Sequence, residues 1–263
     1  MPVSLQEILS STKQGLPALR RRRETLERQI QGSRVSRPSF RAALRRPTVA
    51  VIAELKRRSP SAGSIREDLD PGERASLYAA HGAAAISVLT DGPYFGGSMH
   101  DLRAAAGRCP LPLLRKDFIL DEVQILEARA AGASAVLLIV RVLERPRLET
   151  LLRYAAELGL DALVEVHTPA ELATALEAGA SVIGVNSRDL DTFRIDTEAA
   201  WDIIRQIPSD RIAVAESGMG GPADVVRVAE AGADAVLIGT ALSAAPVPER
   251  LLGELSAIRR HDR

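Results

Sequence analysis

EAGADAVLIG, residues 230–239, reads as the end of a helix, a glycine, and then a short apolar run. The same pattern stands at AHGAAAISVL (80–89), AAGASAVLLI (130–139) and EAGASVIGV (177–185), with ELGLDALVEV (157–166) as a looser fifth copy. Gly82, Gly132, Gly179 and Gly232 suit the position after a helix C-terminus, where the chain turns left-handed and a side chain is disfavoured. Helix, glycine, strand, repeated, is the pattern of a βα array. Extending it over the chain gives eight expected strands: about 49–56, 84–89, 111–116, 135–140, 162–167, 182–186, 211–216 and 235–239. The expected helices are about 71–81, 98–107, 121–131, 144–158, 168–178, 196–206, 222–231 and 247–260. Pro71, Pro169, Pro222 and Pro246 stand at helix starts, where a missing N–H does no harm.

Eight βα units predict the α/β class and a (β/α)8 TIM barrel with an N-terminal helical extension. The alternative is a doubly wound open sheet, which would normally carry a GxGxxG turn after its first strand. KRRSPSAG (56–63) is not such a turn. Residues 1–47 are expected as the helical extension, with Pro17 interrupting what would otherwise be one helix. Residues 48–263 are expected as the catalytic barrel domain.

Composition agrees with this architecture. Of 263 residues, 46% are hydrophobic but only 3% aromatic, so the core must be built from Val, Ile, Leu and Ala. Such cores suit parallel sheets covered by helices. The longest apolar stretch, AVLLIV (135–140), is far short of the ~20 residues a spanning helix needs. MPVSLQEIL lacks a basic-then-apolar signal pattern, and the single cysteine, Cys109, precludes an intramolecular disulfide. Cys109 reads as a packed small hydrophobe. The expected setting is cytoplasmic, with no membrane partner. Charge is uneven: residues 1–47 hold 11 Lys/Arg and 3 Glu. The run Arg20–Arg23 raises a nucleic-acid reading. No aromatic residues interleave with the arginines, so a solvated helix face is preferred and no nucleic-acid partner is expected.

The strand ends carry the chemistry. A strand buried on both faces should be plain, yet Glu54, Lys56, Lys116, Glu165, Asn186 and Glu216 sit at or near the C-terminal ends of their runs. Burying an unpartnered charge costs several kcal/mol, so these groups are expected to share one solvent-reachable cavity. Side chains alternate faces along a strand, which puts Glu54 and Lys56 on one face of their strand with Ala50 and Ile52, and Glu165 and His167 on one face of theirs with Leu163. The C-terminal rim is where barrel active sites lie. His167 is read as a hydrogen-bonded rim residue rather than a catalyst. Arg141, just past the fourth strand, has no assignable partner. AESGMGGP (215–222) and IGTALSAAP (238–246) follow the seventh and eighth strands. Their small residues let backbone N–H groups approach an anion, and TALSA can form a short helix at the position of recurrent phosphate sites. No histidine spacing suits a metal.

AELKRRSPSAG (53–63), LTDGPYFGGSMHDL (89–102), LLRKDFILD (113–121), LVEVHT (163–168), GVNSRDLDTF (184–193) and VAESGM (214–219), in this order, resemble the indole-3-glycerol phosphate synthase family. The resemblance covers essentially the whole barrel. It implies a small-molecule sugar-phosphate substrate, 1-(2-carboxyphenylamino)-1-deoxyribulose 5-phosphate. It also implies ring closure, decarboxylation and dehydration in tryptophan biosynthesis, with no metal or organic cofactor. By this resemblance Lys116 is the acid on the carbonyl oxygen. Lys56 lies near the substrate carboxylate and assists later as an acid. Glu165 is the base or acid of dehydration. Glu54, Asn186, Glu216 and Ser217 form the supporting shell. Ser59, Gly218, Gly239 and Thr240 would hold the phosphate. Pro60, Phe95, Phe118, Leu137 and Leu190 would line the aromatic slot, with Arg188 also binding substrate. Thr240 stands where the family often has Ser or Glu, and Leu242–Ser243 where it has Leu-Met. A monomer is expected, with a dimer as the alternative. Apart from the resemblance, a lysine at a strand end beside carboxylates also suits a Schiff-base aldolase, and a catalytically silent scaffold barrel is a third reading.

Overall fold

Each glycine of the repeat adopts the conformation that the repeat requires. Gly82, Gly132, Gly179 and Gly232 have φ between 84° and 104°, and each turns a helix end into a strand. The computed structural model describes residues 4–32, 38–59 and 63–261. Its barrel strands are β1 (Ala50–Leu55), β2 (Ala85–Leu89), β3 (Leu113–Lys116), β4 (Ala135–Ile139), β5 (Asp161–Val166), β6 (Val182–Asn186), β7 (Ile212–Glu216) and β8 (Ala235–Ile238). All neighbouring pairs are parallel, and β1 pairs with both β2 and β8. The sheet is therefore a closed barrel, and the open doubly wound alternative is excluded. Arg58–Ser59 and Gly63–Ser64 form a small antiparallel pair just beyond β1.

Alternation within the strands sorts two cores. Ala50 and Ile52 point into the barrel, in one apolar cluster with Leu114, Leu137, Leu163, Val214 and Leu237. Val51, Ala53 and Leu55 point outward, against the ring of helices. Eight helices follow the strands at the expected places, from Pro71–Ala80 to Pro248–Ser256. Several begin on a capped turn: Asp70, Ser98, Asp121 and Thr168 each accept a backbone N–H two or three residues on, as N-cap side chains do. TALSA is helical, as Thr240–Ala244.

The N-terminal helices depart from expectation at Pro17. The first helix, α1 (Leu5–Arg20), runs through Pro17 without ending there. The break falls at Arg21–Arg22, before α2 (Arg23–Gly32). An interior proline loses its own N–H bond and crowds the carbonyl four residues back, a cost that docking of α1 through the buried Leu5, Ile8 and Leu16 offsets. Leu5 and Ile8, with Phe40 and Leu44, join the cluster that fills the barrel interior. The arginine run is not simply a solvated face. Arg20 donates to Asp121 through Nε and Nη2, at 3.0 and 2.5 Å, and Arg22 pairs with Glu127 at 3.3 Å. Both acids belong to the cap or body of the helix Glu122–Ala130, so the run fastens the extension to the barrel.

Candidate active site

Strand register brings the polar strand ends together. Ile139 lies beside Glu165, Glu165 beside Gly184, and Asn186 beside Glu216. Leu89 lies beside Lys116, and Glu54 beside Ser87. The result is a cavity of about 680 Å³ at the C-terminal rim. Of the residues expected there, all described ones line it: Glu54, Lys56, Ser59, Phe95, Lys116, Phe118, Leu137, Glu165, Asn186, Arg188, Leu190, Glu216, Ser217, Gly218, Gly239 and Thr240. Pro60 lies outside the described residues.

Lys116 is the centre of this arrangement. Its Nζ stands 3.2 Å from Glu216 Oε2 and 3.3 Å from Glu165 Oε2. Burial works against its charge, but the fields of Glu216, Glu165 and Glu54 outweigh burial and hold its pKa above the ordinary lysine value. The side chain is an ammonium across the physiological range. The two carboxylates beside it diverge. Burial pushes Glu216 up to about 7, with Glu165 and Glu54 adding to burial and Lys116 opposing it. Glu165 is equally buried, yet Lys116, His167 and a hydrogen bond with Asn186 hold it below the usual carboxylate range. One ammonium cannot neutralise both acids, so the acid with extra partners stays ionised and the other holds its proton up to about pH 7.

Glu54 is placed by two contacts. It lies 3.6 Å from Lys56 Nζ, and its Oε2 accepts from Ser87 Oγ at 3.2 Å. At the other end, Ser217 and Gly218 are consecutive left-handed residues, with φ of 63° and 75°. Gly239 stands at the N-terminus of Thr240–Ala244. Phe95 and Phe118 face each other across the cavity wall, ring centres 6.4 Å apart and tilted by 39°. Arg188 donates to the Phe193 carbonyl at 3.2 Å.

Some residues of the site are not evident from the sequence pattern. Ser87 is buried in β2, and its available signal was that it is the one polar side chain in that strand. Gly184 in β6 leaves room for Glu216: a methyl there would strike Glu216 Oε1. A glycine inside an apolar strand was its available signal. Arg141 does have partners, Glu171 at 3.2 Å and Asp189 at 2.9 Å. His167 Nε2 stands 3.4 Å from Glu165 Oε1. Leu89, Asp91, Phe193, Ile195 and Met219 also line the cavity; they lie in loops or at strand ends with no pattern to mark them. Arg115, on the outer face of β3, is buried and paired with Asp117 and Glu127 at 2.9 and 3.2 Å. It braces β3 next to Lys116.

A closed parallel barrel with acids and lysines converging at its C-terminal rim is the arrangement of a (β/α)8-barrel enzyme. The profile of the family described as Indole-3-glycerol phosphate synthase matches residues 5–255. The chain belongs to that family. It is 44% identical over 259 residues to an indole-3-glycerol phosphate synthase of Parafrankia sp. (strain EAN1pec), covering 98% of this chain and 97% of that protein. It is 46% identical over 265 residues to that of Opitutus terrae (strain DSM 11246 / JCM 15787 / PB90-1), covering 98% of this chain and 100% of that protein. With that of Chlorobium chlorochromatii (strain CaD3) it shares 50% identity over 226 residues, 85% of this chain and 86% of that protein. Solved structures share the barrel at much lower identity. The 3-hexulose-6-phosphate synthase of Salmonella typhimurium superposes with a TM-score of 0.61 at 18% identity, covering 79% of this chain and 97% of that chain. The thiamine phosphate pyrophosphorylase of Pyrococcus furiosus gives 0.58 at 17%, covering 80% and 94%. At that identity the likeness is one of fold.

Proposed function

We propose that this chain carries out its family's synthase reaction with Lys116 as the acid that starts it. The substrate is 1-(2-carboxyphenylamino)-1-deoxyribulose 5-phosphate. The aromatic amine pushes electrons so that the ring carbon bearing the carboxylate attacks the ribulose carbonyl carbon. The carbonyl oxygen then takes a proton from Lys116 Nζ. The carboxylate leaves as carbon dioxide and returns its bonding pair to the ring. Loss of the new hydroxyl as water, with a proton removed by Glu165, completes indole-3-glycerol phosphate, an intermediate of tryptophan biosynthesis. The observation that carries this reading is the charged Lys116, set between Glu165 and Glu216 in an open cavity. A lysine held as ammonium is a ready proton donor, and the adjacent ionised Glu165 is a ready acceptor.

The other residues have supporting assignments. Lys56 faces the substrate carboxylate and assists as an acid during dehydration. Glu54, Asn186, Glu216 and Ser217 orient the two lysines and the substrate. Ser59, Gly218, Gly239 and Thr240 take the phosphate. Phe95, Phe118, Leu137 and Leu190 enclose the aromatic ring, with Arg188 at its edge. Residues 1–47 are a helical extension of a barrel domain spanning 48–263. Among the described residues no helix is long and apolar enough to cross a membrane, and the setting we assign is the cytoplasm, with the chain a monomer.

The test is direct. The carboxyphenylamino sugar phosphate is added and indole fluorescence followed. Folded protein that gives no signal overturns the reading. Lys116→Ala is expected to remove turnover, by ~10³-fold or more for loss of a general acid that also carries electrostatic stabilisation, while circular dichroism stays unchanged. Substantial remaining turnover would take the acid's role from Lys116.

A further inference from the structure

His167 is a buried titratable group beside the catalytic carboxylates that the reaction above does not use. Its side chain is 3% exposed and lies between two carboxylates. Nδ1 stands 3.3 Å from Glu171 Oε2, and that same oxygen accepts the His167 backbone N–H at 2.6 Å. Glu171 Oε1 accepts from Arg141 Nε at 3.2 Å. Arg141 Nη1 in turn donates to Asp189 at 2.9 Å. A carboxylate beside a guanidinium stays ionised and only accepts, so Nδ1 carries a hydrogen. Nε2, buried and without a hydrogen bond, lies 3.4 Å from Glu165 Oε1, close enough for a charge contact. A bare Nε2 lone pair facing a carboxylate oxygen would be repulsive. A proton on Nε2 makes the approach attractive and leaves the ring an imidazolium.

We propose that His167 is a positioning residue for Glu165, a buried imidazolium that holds Oε1 while Lys116 holds Oε2. Arg141 and Glu171 keep the ring in place from behind. Glu165 is thereby fixed from both oxygens and kept ionised as the acceptor of the dehydration step. The inference rests on that role for Glu165. The charges facing the ring are Glu165 on β5, Glu171 on the following helix Pro169–Glu177, and Arg141 past β4. Lys116 stands beyond Glu165, and Asp189 beyond Arg141. Burial opposes the charged ring, and Arg141 does too. The Glu171 hydrogen bond and the fields of Glu165 and Glu171 outweigh them and raise its pKa above the ordinary histidine value.

The test combines proton counting with kinetics. In ¹⁵N NMR of the substrate-free enzyme at pH 7, both ring nitrogens of His167 should be protonated, and E165Q should make the ring titrate at lower pH. H167N keeps a donor toward Glu171 but loses the contact to Glu165. It should lower kcat by about tenfold, or about 1.4 kcal/mol, with KM little changed. The acid limb of its pH–kcat profile should move to higher pH. H167Q, which returns a neutral donor toward Glu165, should recover part of kcat but not the position of the limb. A ring with one unprotonated nitrogen at pH 7 overturns the proposal, as does H167N with an unmoved limb. If E165Q itself turns over like the parent, the role of Glu165 falls and this inference with it. If E165Q is inactive while the H167N profile is unmoved, only the His167 inference falls. Should H167N not fold, the NMR comparison of parent and E165Q decides alone.

Discussion

Glu54 and Glu216 reach the cavity because two neighbours lack side chains. A methyl group on Gly184 would collide with Glu216 Oε1, and one on Gly239 with Glu54 Oε1. Both collisions involve carboxylates that are buried and already committed to a lysine, so neither acid has a free rotamer into solvent. Gly184→Ala should therefore fold but displace Glu216 from Lys116. Small misplacements of catalytic groups cost about 10²-fold, so kcat should fall by that order. Far-UV circular dichroism with kcat and KM checks this, and a variant with parental kcat would refute the cradle. At this scale the sequence was partly legible. An ionisable group ending an apolar strand is an energetic anomaly visible in any list of residues. The local pair Glu54–Lys56 was visible in the period of two along one strand, but that Lys116 meets Glu165 and Glu216 was not: it follows from which strands face one another across a closed sheet.

Among the elements, the N-terminal helices contribute more than a solvated prefix would. Phe40, wholly buried, lies at the start of the short helix Phe40–Ala43 and joins the interior core of the barrel. That helix is fixed to β5, since Ser39 Oγ and the Arg41 N–H both donate to Asp161 at 2.9 Å. Phe40→Ala should destabilise the protein by about 3–5 kcal/mol, the usual cost of emptying a large aromatic site. Urea unfolding measures it, and a loss below ~1 kcal/mol would show that the extension packs only loosely on the barrel. Folded Phe40→Ala protein should keep its turnover, because Phe40 does not line the cavity. The eight expected helices and strands were legible to within a few residues, since glycine stops, proline starts and apolar runs are local signals; the last helix opens at Pro248 rather than Pro246, and the short helix Gly92–Phe95 had no such signal. The path of α1 through Pro17 was not. Whether a proline ends a helix depends on what the helix packs against, and Leu16 packs against Leu26 of the next helix and against Val123 and Leu126, which are distant in the chain.

For the whole molecule, the cavity imposes a pH signature. Glu216 rises from 4.5 to about 7 on folding. Between those values the native state holds a proton that the unfolded chain has released. Linkage then requires stability to fall as pH rises from 4.5 to about 7, with the cost constant above. His167, raised above 6.5, works in the same direction. Its contribution is fully present below 6.5 and is lost as pH rises through its folded value. Glu165 has the opposite sign, contributing stability above 4.5 that is lost on acidification. Glu216→Gln removes the carboxyl that holds its proton across this range. Urea unfolding across pH 4.5–8 should show a flatter profile for this variant, with the gain over the parent greatest at the alkaline end. Parallel profiles would mean that Glu216 is not the group carrying the proton.

The order of elements, the barrel class and the set of ionisable residues were determined by the sequence itself. Each rests on short-range physics: glycine's left-handed turn, the period of two along a strand, and the cost of a charge in an apolar run. The closed tertiary structure decided the rest. It chose which acid keeps a proton, gave Arg141 its partners, and set Lys116 between Glu165 and Glu216. Those outcomes depend on distances of a few ångströms between strands far apart in the chain. Only closure of the barrel, with its particular register, sets such distances.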